Sequence, residues 1–428
     1  MNGPLLPLRS LASIQRARFD LDPELLELAR PIVDDVRLHG DAGLLRQARR
    51  FGDLREGDSL YWDREALEQV RSRLCAEERE LLVRVRARVE RFAEAQRASL
   101  SEFDLPISGG RACQRIAPVE RAGCYAPGGR HPLPSSVLMT AVTARAAGVK
   151  QVIVASPRPA PITLAAAAEA GADLLVAAGG AQAVAALAFG TSRFEPCDIV
   201  VGPGNRWVNA AKALVTPWVA IDSLAGPSEL VVVADASADP ALVAADLLAQ
   251  AEHDDDARCV LIALDARLVD AVRNQLLLQL EDLPTAATAA QSLLRGSSLV
   301  VESAEEAACA VDALAPEHVQ LLLNEAAWLA QRLRHYGALF LGRAGAEVLG
   351  DYGSGPNHVL PTGGAARRKG GLSVLDFLRV RTWLELEEAP DAADASQLAR
   401  LEGLEAHARA ADRRVRNVPA SASTEGIT

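Results

Sequence analysis

The sequence predicts an α/β protein with parallel sheets, and three observations lead to this prediction. From about residue 150, short β-branched runs alternate with alanine-rich amphipathic segments, which is typical of parallel strands joined by crossover helices. The alternation resumes after Gly226, so we predict two α/β units that meet near that residue. The segment 20–100 contains long, charged stretches with a helical pattern, which predicts a helical layer packed on one of the sheets.

The individual elements follow in order from these patterns. Bounded β-rich runs predict strands at 150–157, 173–178, 198–202, 229–235, 259–264, 298–303, 318–323 and 338–342. Helices are predicted at 162–170, after the glycine pair at 179–180, up to His253 and up to Leu280. Residues 384–396 are acidic and alanine-rich, which predicts a linker to a tail helix at 397–416. The last dozen residues are expected to be disordered.

Length and composition narrow the class of protein. A chain of 428 residues is too long to fold around one compact core, so two or more domains are expected. No apolar run approaches the roughly 18 residues of a membrane span, and Pro4, Pro7 and Arg9 interrupt any signal-like N-terminus. A cytoplasmic protein without a membrane partner is therefore predicted. The net charge of −11 argues against a nucleic-acid partner.

The six cysteines are scattered and form no C-x-x-C pair. We therefore predict reduced, mostly buried thiols. A cysteine-based zinc site is excluded on this pattern, so a metal would need histidine, carboxylate or amide ligands.

Glycine-rich turns are the first candidate ligand sites. Neither a G-x-G-x-x-G fingerprint nor a P-loop is present. Four glycine-rich turns nevertheless occur, at 126–136, 178–183, 202–205 and 226–229. Because ligands bind at the carboxyl ends of parallel strands, where glycine allows close approach, together they favour a ligand site modestly.

The stretch 248-LAQAEHDDDA contains a second candidate. Gln250 and His253 are three residues apart at a predicted helix end, a spacing that can converge on one ion. Taken alone, such a pair is more often structural. Asp351 opens a loop rich in glycine and proline that ends near His358, and a loop of this kind is costly to order without a function.

Glu317 and His318 stand at the entrance to a predicted strand. Strand geometry predicts that their side chains point to opposite sides, which suits two proton transfers with different targets. The alternative is a surface glutamate beside a strand-capping histidine.

Taken together, these segments resemble one known family, histidinol dehydrogenase, in order and spacing over roughly residues 20–415. No single segment is specific, but the ordered set is. The segments that carry the resemblance are 125-YAPGG, 133-LPSSVLM, 179-GGAQAVAALAFGT, 202-GPGN, 226-GPSELVVVAD, 241-ALVAADLLAQAEHDDDA, 315-APEHV, 351-DYGSGPNHVLPT, 371-GLSVLDF and 404-LEAHARAA.

The resemblance implies a zinc-dependent, NAD-linked enzyme that oxidises L-histidinol to L-histidine, the last step of histidine biosynthesis, through an aldehyde-level intermediate. His318 would take the proton of the alcohol, and Glu317 would activate the water that adds to the aldehyde. The implied zinc ligands are Gln250, His253, Asp351 and His407. The implied substrate contacts are Ser228, Gln250, His253, His318, Asp351, His358, Glu402 and His407. The implied NAD contacts are Tyr125, Gln182 and Asn205.

The resemblance also implies two incomplete Rossmann-like domains, which is consistent with the missing fingerprint. One domain would comprise 20–120 and 227–380, and the NAD-side domain 121–226, after an extension at 1–19. The tail, 381–428, would dock on the partner subunit of a homodimer and bring Glu402 and His407 to its site. The sequence departs from the family pattern at Arg130, His131 and Gly370.

Three alternatives remain open. A related zinc and NAD dehydrogenase could act on another small polyfunctional alcohol. A metal-dependent hydrolase could use Glu317 with a metal-bound water, and would need no NAD. A metal-stabilised structural protein would lose stability without zinc, but would tolerate a Glu317→Gln/His318→Asn double substitution.

Overall fold

A computed structural model describes residues 4–13, 20–128 and 132–415. The departures at Arg130 and His131 lie outside these residues, as does the predicted disorder of the last dozen residues. The chain divides into two compact units. The first comprises Met1–Arg97 and Val119–Phe377, and the second comprises Ala98–Pro118 and Leu378–Thr428.

The strands are β1 (Leu8–Arg9), β2 (Tyr61–Asp63), β3 (Phe103–Ile107), β4 (Gly110–Pro118), β5 (Arg121–Tyr125), β6 (Gln151–Ala155), β7 (Leu174–Val176), β8 (Ile199–Val201), β9 (Ala220–Ile221), β10 (Glu229–Ala234), β11 (Arg258–Ala263), β12 (Ser297–Val300), β13 (His318–Leu322), β14 (Ala338–Leu341) and β15 (Leu378–Leu386). The α-helices are α1 (Pro23–Arg50), α2 (Arg64–Arg73), α3 (Ala76–Ala98), α4 (Pro134–Ala147), α5 (Pro161–Glu169), α6 (Gly180–Phe189), α7 (Arg206–Val215), α8 (Pro240–Ala251), α9 (Ala266–Leu280), α10 (Ala286–Arg295), α11 (Ala304–Leu314), α12 (Ala326–Ala330), α13 (Glu347–Asp351), α14 (Ala392–Leu401) and α15 (Glu405–Val415).

The first sheet of the larger unit has the strand order β2-β7-β6-β5-β8-β9. Its strands are parallel except β2, which pairs antiparallel with β7. Helix α1 packs on α6 and α7, and its buried Ile32 and Val36 join the core that contains Ile153 and Val200. The predicted helical layer is therefore confirmed.

The second sheet of this unit has the order β1-β12-β11-β10-β13-β14, and all its strands are parallel. Strand β10 lies inside it and is buried along its whole length, as its unbroken apolar run predicts. Leu230 and Val232 pack on one side, against α8 and α9, while Val231 and Val233 pack on the other. The predicted α/β fold with parallel sheets is confirmed.

The smaller unit contains a three-stranded antiparallel sheet, β15-β4-β3, and the paired helices α14 and α15. The predicted linker at 384–396 is wrong at both ends, because β15 runs to Leu386 and α14 begins at Ala392. The strand is stabilised by partners distant in sequence, with Trp383 opposite Cys113. The glutamates near the end of the strand favoured a linker in the sequence.

No helix in the described ranges is long and apolar enough to cross a membrane. The cysteines are free, as predicted: Cys113, Cys124, Cys197 and Cys259 are buried, and Cys75 and Cys309 are exposed. Burial raises the pKa of the Cys124 thiol to about 12, so this side chain stays a protonated thiol at neutral pH. This environment fits a structural residue.

Candidate active site

Glu317 lies immediately before β13 and is 7% exposed. Its Oε2 atom accepts hydrogen bonds from the Ser228 hydroxyl, at 2.5 Å, and from the Glu229 backbone N–H, at 2.9 Å. Burial raises its pKa, although His318 and these two donors oppose the shift. A carboxylate held in this way keeps one defined orientation with a proton affinity above the usual range.

His318 is the first residue of β13 and is 2% exposed. Its Nδ1 lies 3.2 Å from the Glu229 carbonyl oxygen and 3.8 Å from Oε2 of Glu317. The prediction that Glu317 and His318 point to opposite sides is wrong, because Glu317 precedes the strand and is not bound by its alternation. The two groups therefore share one environment.

The opposite ring nitrogen of His318, Nε2, has no hydrogen-bond partner among the described residues. It lies 3.6 Å from Oδ1 of Asp351. Burial lowers the pKa of His318, but the surrounding carboxylates, Glu317 first, outweigh burial and raise that pKa to about 10. With Nδ1 facing a carbonyl, Nε2 is the nitrogen available for proton transfer.

Asp351 joins three histidines. Its Oδ2 lies 3.6 Å from Nε2 of His253, its Oδ1 faces His318, and its carbonyl oxygen lies 2.8 Å from Nδ1 of His358. Asp351 is the last residue of α13, a short helix where a loop was predicted. The contact with Asp351 raises the pKa of His253 to about 9 in spite of burial. Burial raises the pKa of Asp351, but its two imidazole partners outweigh burial and lower it.

His358 lies behind Asp351 and is oriented from both ring nitrogens. Its Nε2 is 3.2 Å from the Ser136 hydroxyl, at the start of α4. The neighbouring Asn357 donates from its amide to the Met139 carbonyl, at 2.7 Å. The loop after α13 is therefore ordered by α4, and burial lowers the pKa of His358 so that it is neutral near pH 7.

Two further side chains are buried with polar atoms that have no hydrogen-bond partner in the described part of the chain, although Oε1 of one, Glu347, lies 4.0 Å from Nδ1 of His318. Gln250, in the last turn of α8, is fully buried, and neither amide atom has a hydrogen-bond partner in the described part of the chain. The same holds for both carboxylate oxygens of Glu347, in the first turn of α13. Burial raises the pKa of Glu347 to about 8. Unpaired buried polar atoms are costly, so a bound polar or cationic group would be favourable here.

These donors fit a zinc ion only in part. Among residues 4–13, 20–128 and 132–415, no three His, Cys, Asp or Glu side chains are arranged to hold a metal. Gln250, His253 and Asp351 would supply an amide, an imidazole and a carboxylate, which are oxygen and nitrogen ligands that zinc accepts, with a fourth position open. The unpaired amide of Gln250 is the observation that favours the fit.

We call Glu317, His318, Glu347, Asp351 and His253 the histidine–carboxylate cluster. Beside it lies a cavity of about 880 Å³, whose lining includes His253 together with Tyr125, Gln182 and Asn205. The three predicted NAD contacts and one predicted zinc ligand thus face the same space.

The cavity wall is formed by turns at the carboxyl ends of the first sheet. A Cβ on Gly179 would lie 2.7 Å from Cβ of Pro157, so the turn after β7 tolerates no side chain there. Asn205 caps α7 through its side-chain oxygen. One predicted turn, 226–229, differs from the others, since it precedes β10 and lies at the amino end of the second sheet. There it positions Ser228 at Glu317.

Glu402 and His407 belong to the smaller unit. Glu402 is the C-cap of α14, His407 lies in α15, and both side chains are exposed. Their roles as substrate and zinc contacts stay predictions, as do the roles assigned to the other residues.

Sequence reasoning missed Glu347 and Asp53. Glu347 precedes Asp351 by four residues, the spacing of one helix face, but the prediction of a loop concealed this signal. Asp53 follows α1 in a polar turn and gave no local signal. Gly370 is one of the three departures from the family pattern. A Cβ there would meet nothing within 4 Å, so the local packing does not require glycine at this position.

Comparison with known proteins shows the family of this chain. The family described as histidinol dehydrogenase matches residues 15–415. The histidinol dehydrogenase of Thermus thermophilus is 45% identical over 410 residues, 93% of this chain and 98% of that protein. That of Gluconobacter oxydans is 43% identical over 406 residues, 93% and 94% of the two chains. The crystal structure of histidinol dehydrogenase from Elizabethkingia anophelis superposes with a TM-score of 0.90 at 29% identity, covering 97% of this chain and 99% of that one. The chain therefore belongs to the histidinol dehydrogenase family.

Proposed function

We propose that this chain oxidises L-histidinol to L-histidine in the cytoplasm, by two successive hydride transfers to NAD through an aldehyde-level intermediate. Family membership supports histidinol as the substrate. One observation supports the linkage to NAD: a single cavity is lined both by His253 of the histidine–carboxylate cluster and by Tyr125, Gln182 and Asn205.

His318 is the proton acceptor of the alcohol step. Its Nε2 has no hydrogen-bond partner within the described residues and lies 3.6 Å from Oδ1 of Asp351, while Nδ1 faces the Glu229 carbonyl and holds the ring in place. The surrounding carboxylates stabilise the imidazolium that forms when the proton arrives. The same carboxylates keep the His318 ring protonated when no other positive charge is nearby. His318 can therefore act as a base only when a second positive charge offsets the charge of these carboxylates.

Glu317 activates the water of the aldehyde step. Ser228 and the Glu229 N–H both donate to Oε2, so Oε1 is the oxygen that neither of these donors uses. Burial raises the pKa of Glu317, which makes this carboxylate a stronger base than an exposed one. Water delivered to the aldehyde carbon gives the hydrated form from which the second hydride leaves.

The metal ligands in this proposal are Gln250, His253 and Asp351, with His407 from a second copy of the chain. Zinc, when bound, would supply a positive charge that offsets the carboxylates and orients the amine and imidazole of the substrate. The unpaired amide of buried Gln250 and the 3.6 Å approach of His253 to Asp351 support this ligand set.

A homodimer is part of the same proposal. Glu402 and His407 are exposed on the smaller unit. Its sheet also exposes large apolar side chains, among them Leu105, Val380 and Leu384, each more than half exposed. Exposed apolar patches of this kind mark interaction surfaces, so a second copy of the chain is the proposed partner.

The test is a metal analysis together with the yield of NADH on histidinol. The proposal predicts zinc in the purified protein and two NADH per histidinol. Reduction of NAD with another small alcohol but not with histidinol would overturn the substrate assignment. Turnover without NAD would favour a hydrolase instead. Glu317→Gln is expected to lose aldehyde oxidation by about 10²–10⁴-fold while retaining the alcohol step.

A further inference from the structure

Asp53 is a buried acid that the proposed mechanism does not use. It follows α1, is 8% exposed and lines the cavity beside Gln182. Its Oδ2 accepts two hydrogen bonds of 2.8 Å, one from the Gly179 backbone N–H and one from Nε2 of Gln182. Both donors lie at the start of α6, so one carboxylate oxygen sets the position of the turn and of the amide.

This contact determines how the Gln182 amide is oriented. A carboxylate accepts hydrogen bonds, so the nitrogen of the amide must face Asp53 and the carbonyl oxygen, Oε1, must face away. Oε1 lies at Gly180, where an added Cβ would come within 3.2 Å of it. Gly180 has φ +58, a conformation that favours glycine, and it lines the same cavity. The turn therefore leaves room at the carbonyl oxygen.

We propose that Asp53 is a positioning residue, which makes Gln182 present a hydrogen-bond acceptor to the dinucleotide and so selects a primary amide or amino group on it. This inference rests on the proposed NAD linkage. NAD carries two such groups, the carboxamide of the nicotinamide and the amino group of the adenine. Both offer N–H donors, and an acceptor discriminates strongly against analogues that lack them.

Binding measurements on the intact protein separate this role from a structural one. Asp53→Leu removes the acceptor, and NADH affinity, followed by NADH fluorescence, is expected to fall about tenfold because the amide can turn. The matched control is Asp41→Leu. Asp41 also joins α1 to a backbone N–H beyond α6, that of Ser192 at 2.8 Å, but it does not line the cavity. That variant is expected to bind NADH normally.

Exchanging the carboxylate and the amide between positions 53 and 182 tests whether NADH binding can be rescued. Gln182→Glu alone sets two carboxylates against each other and should weaken NADH binding. Combining it with Asp53→Asn gives the new carboxylate an amide donor and leaves a carboxylate oxygen at the turn, so affinity should recover in part; the Gly179 N–H loses Oδ2 as its acceptor, which limits the recovery. Recovery supports the positioning role, and a double variant weaker than both single ones contradicts it. Thermal unfolding of each variant checks that the fold is retained.

Two analogues identify the selected group. 3-Acetylpyridine adenine dinucleotide lacks the carboxamide N–H, and nicotinamide hypoxanthine dinucleotide lacks the adenine amino group. The wild type should bind one of them more weakly than NAD, and Asp53→Leu should abolish that difference. If that difference persists in Asp53→Leu, or if the wild type binds both analogues as tightly as NAD, the inference is overturned and the cofactor stands. If the wild type binds none of the dinucleotides, the proposed function itself fails.

Discussion

The hydroxyl of Ser228 donates a hydrogen bond of 2.5 Å to Oε2 of Glu317. This bond stabilises the ionised carboxylate, so Ser228→Ala should raise the pKa of Glu317 further. On the proposed mechanism, the acidic limb of aldehyde oxidation should move to higher pH, while that of alcohol oxidation stays with His318. Rates of the two half-reactions against pH measure this. Equal shifts in both profiles would contradict separate roles for Glu317 and His318.

Removing the buried amide should weaken metal binding. Gln250→Ala is expected to lower zinc occupancy at least tenfold at limiting zinc, because one of four proposed ligands is lost. The control is Gln279→Ala on α9. Its amide donates to the Ala241 carbonyl of α8, at 2.9 Å, away from the proposed ligands. Zinc measured by elemental analysis after dialysis should fall in the first variant only; equal loss in both would point to a disturbed α8.

Zinc affinity should depend on pH through His253. Asp351 raises the pKa of His253 to about 9 without metal, and a metal binds only the neutral ring. Below pH 9, zinc must therefore displace a proton from His253. The affinity for zinc is expected to fall by about tenfold for each unit as the pH is lowered from 8 to 6. Competition with a chelating dye measures it. An affinity that is constant over this range would exclude the ring as a ligand.

Mixed subunits test the proposed exchange of the tail. His407→Asn and Glu317→Gln should each abolish complete turnover alone. Mixing the two after unfolding and refolding should recover roughly a quarter of the sites, because some sites combine an intact cluster with an intact tail from the other copy. The recovered activity, compared with each variant refolded alone, is the measurement. No recovery in protein that has refolded as a dimer would mean that each site is built from one chain.

Asp246 should make the fold more stable in mild acid. Burial raises its pKa to about 6, although Nε2 of Gln320 donates to it at 2.6 Å. Between pH 4 and 6 the folded state holds a proton that the unfolded state has lost, so the free energy of unfolding falls as pH rises through this window. Asp246→Asn should remove this dependence of the free energy of unfolding on pH, and should raise that free energy by on the order of 1 kcal/mol at pH 8. Urea unfolding at several pH values measures both effects; an unchanged slope would assign it to another group.

The secondary-structure elements that depend on a local residue pattern could be predicted from the sequence. The β-branched runs predicted the parallel strands, and the spacing of Gln250 and His253 marked the end of α8. The approach of Asp351 to His253 could not be predicted from spacing, because about one hundred residues separate them and only the folded chain brings them together. The resemblance to a family supplied that pairing.

Two of the misses depend on contacts between residues that are far apart in the sequence. Strand β15 alternates arginine and glutamate with apolar residues and is stabilised by β4, whose paired residues lie at least 260 positions earlier in the sequence. Only its last three residues were assigned to the predicted linker at 384–396, because of the acidic residues that follow, although the alternation itself favours a strand. Likewise, Asp53 gains its importance from Gly179 and Gln182, which lie far along the chain.

The N-terminal segment has a consequence for expression and handling. Strand β1 covers the edge of β12, while the carbonyl of buried Leu6 accepts from Ser298 and from Arg273. A version that begins at residue 20 would expose the edge of β12. It would also leave unfilled the apolar space that Leu5 and Leu6 occupy beside Leu293. Such edges recruit other chains, so this shortened version should form insoluble aggregates even with every proposed ligand intact.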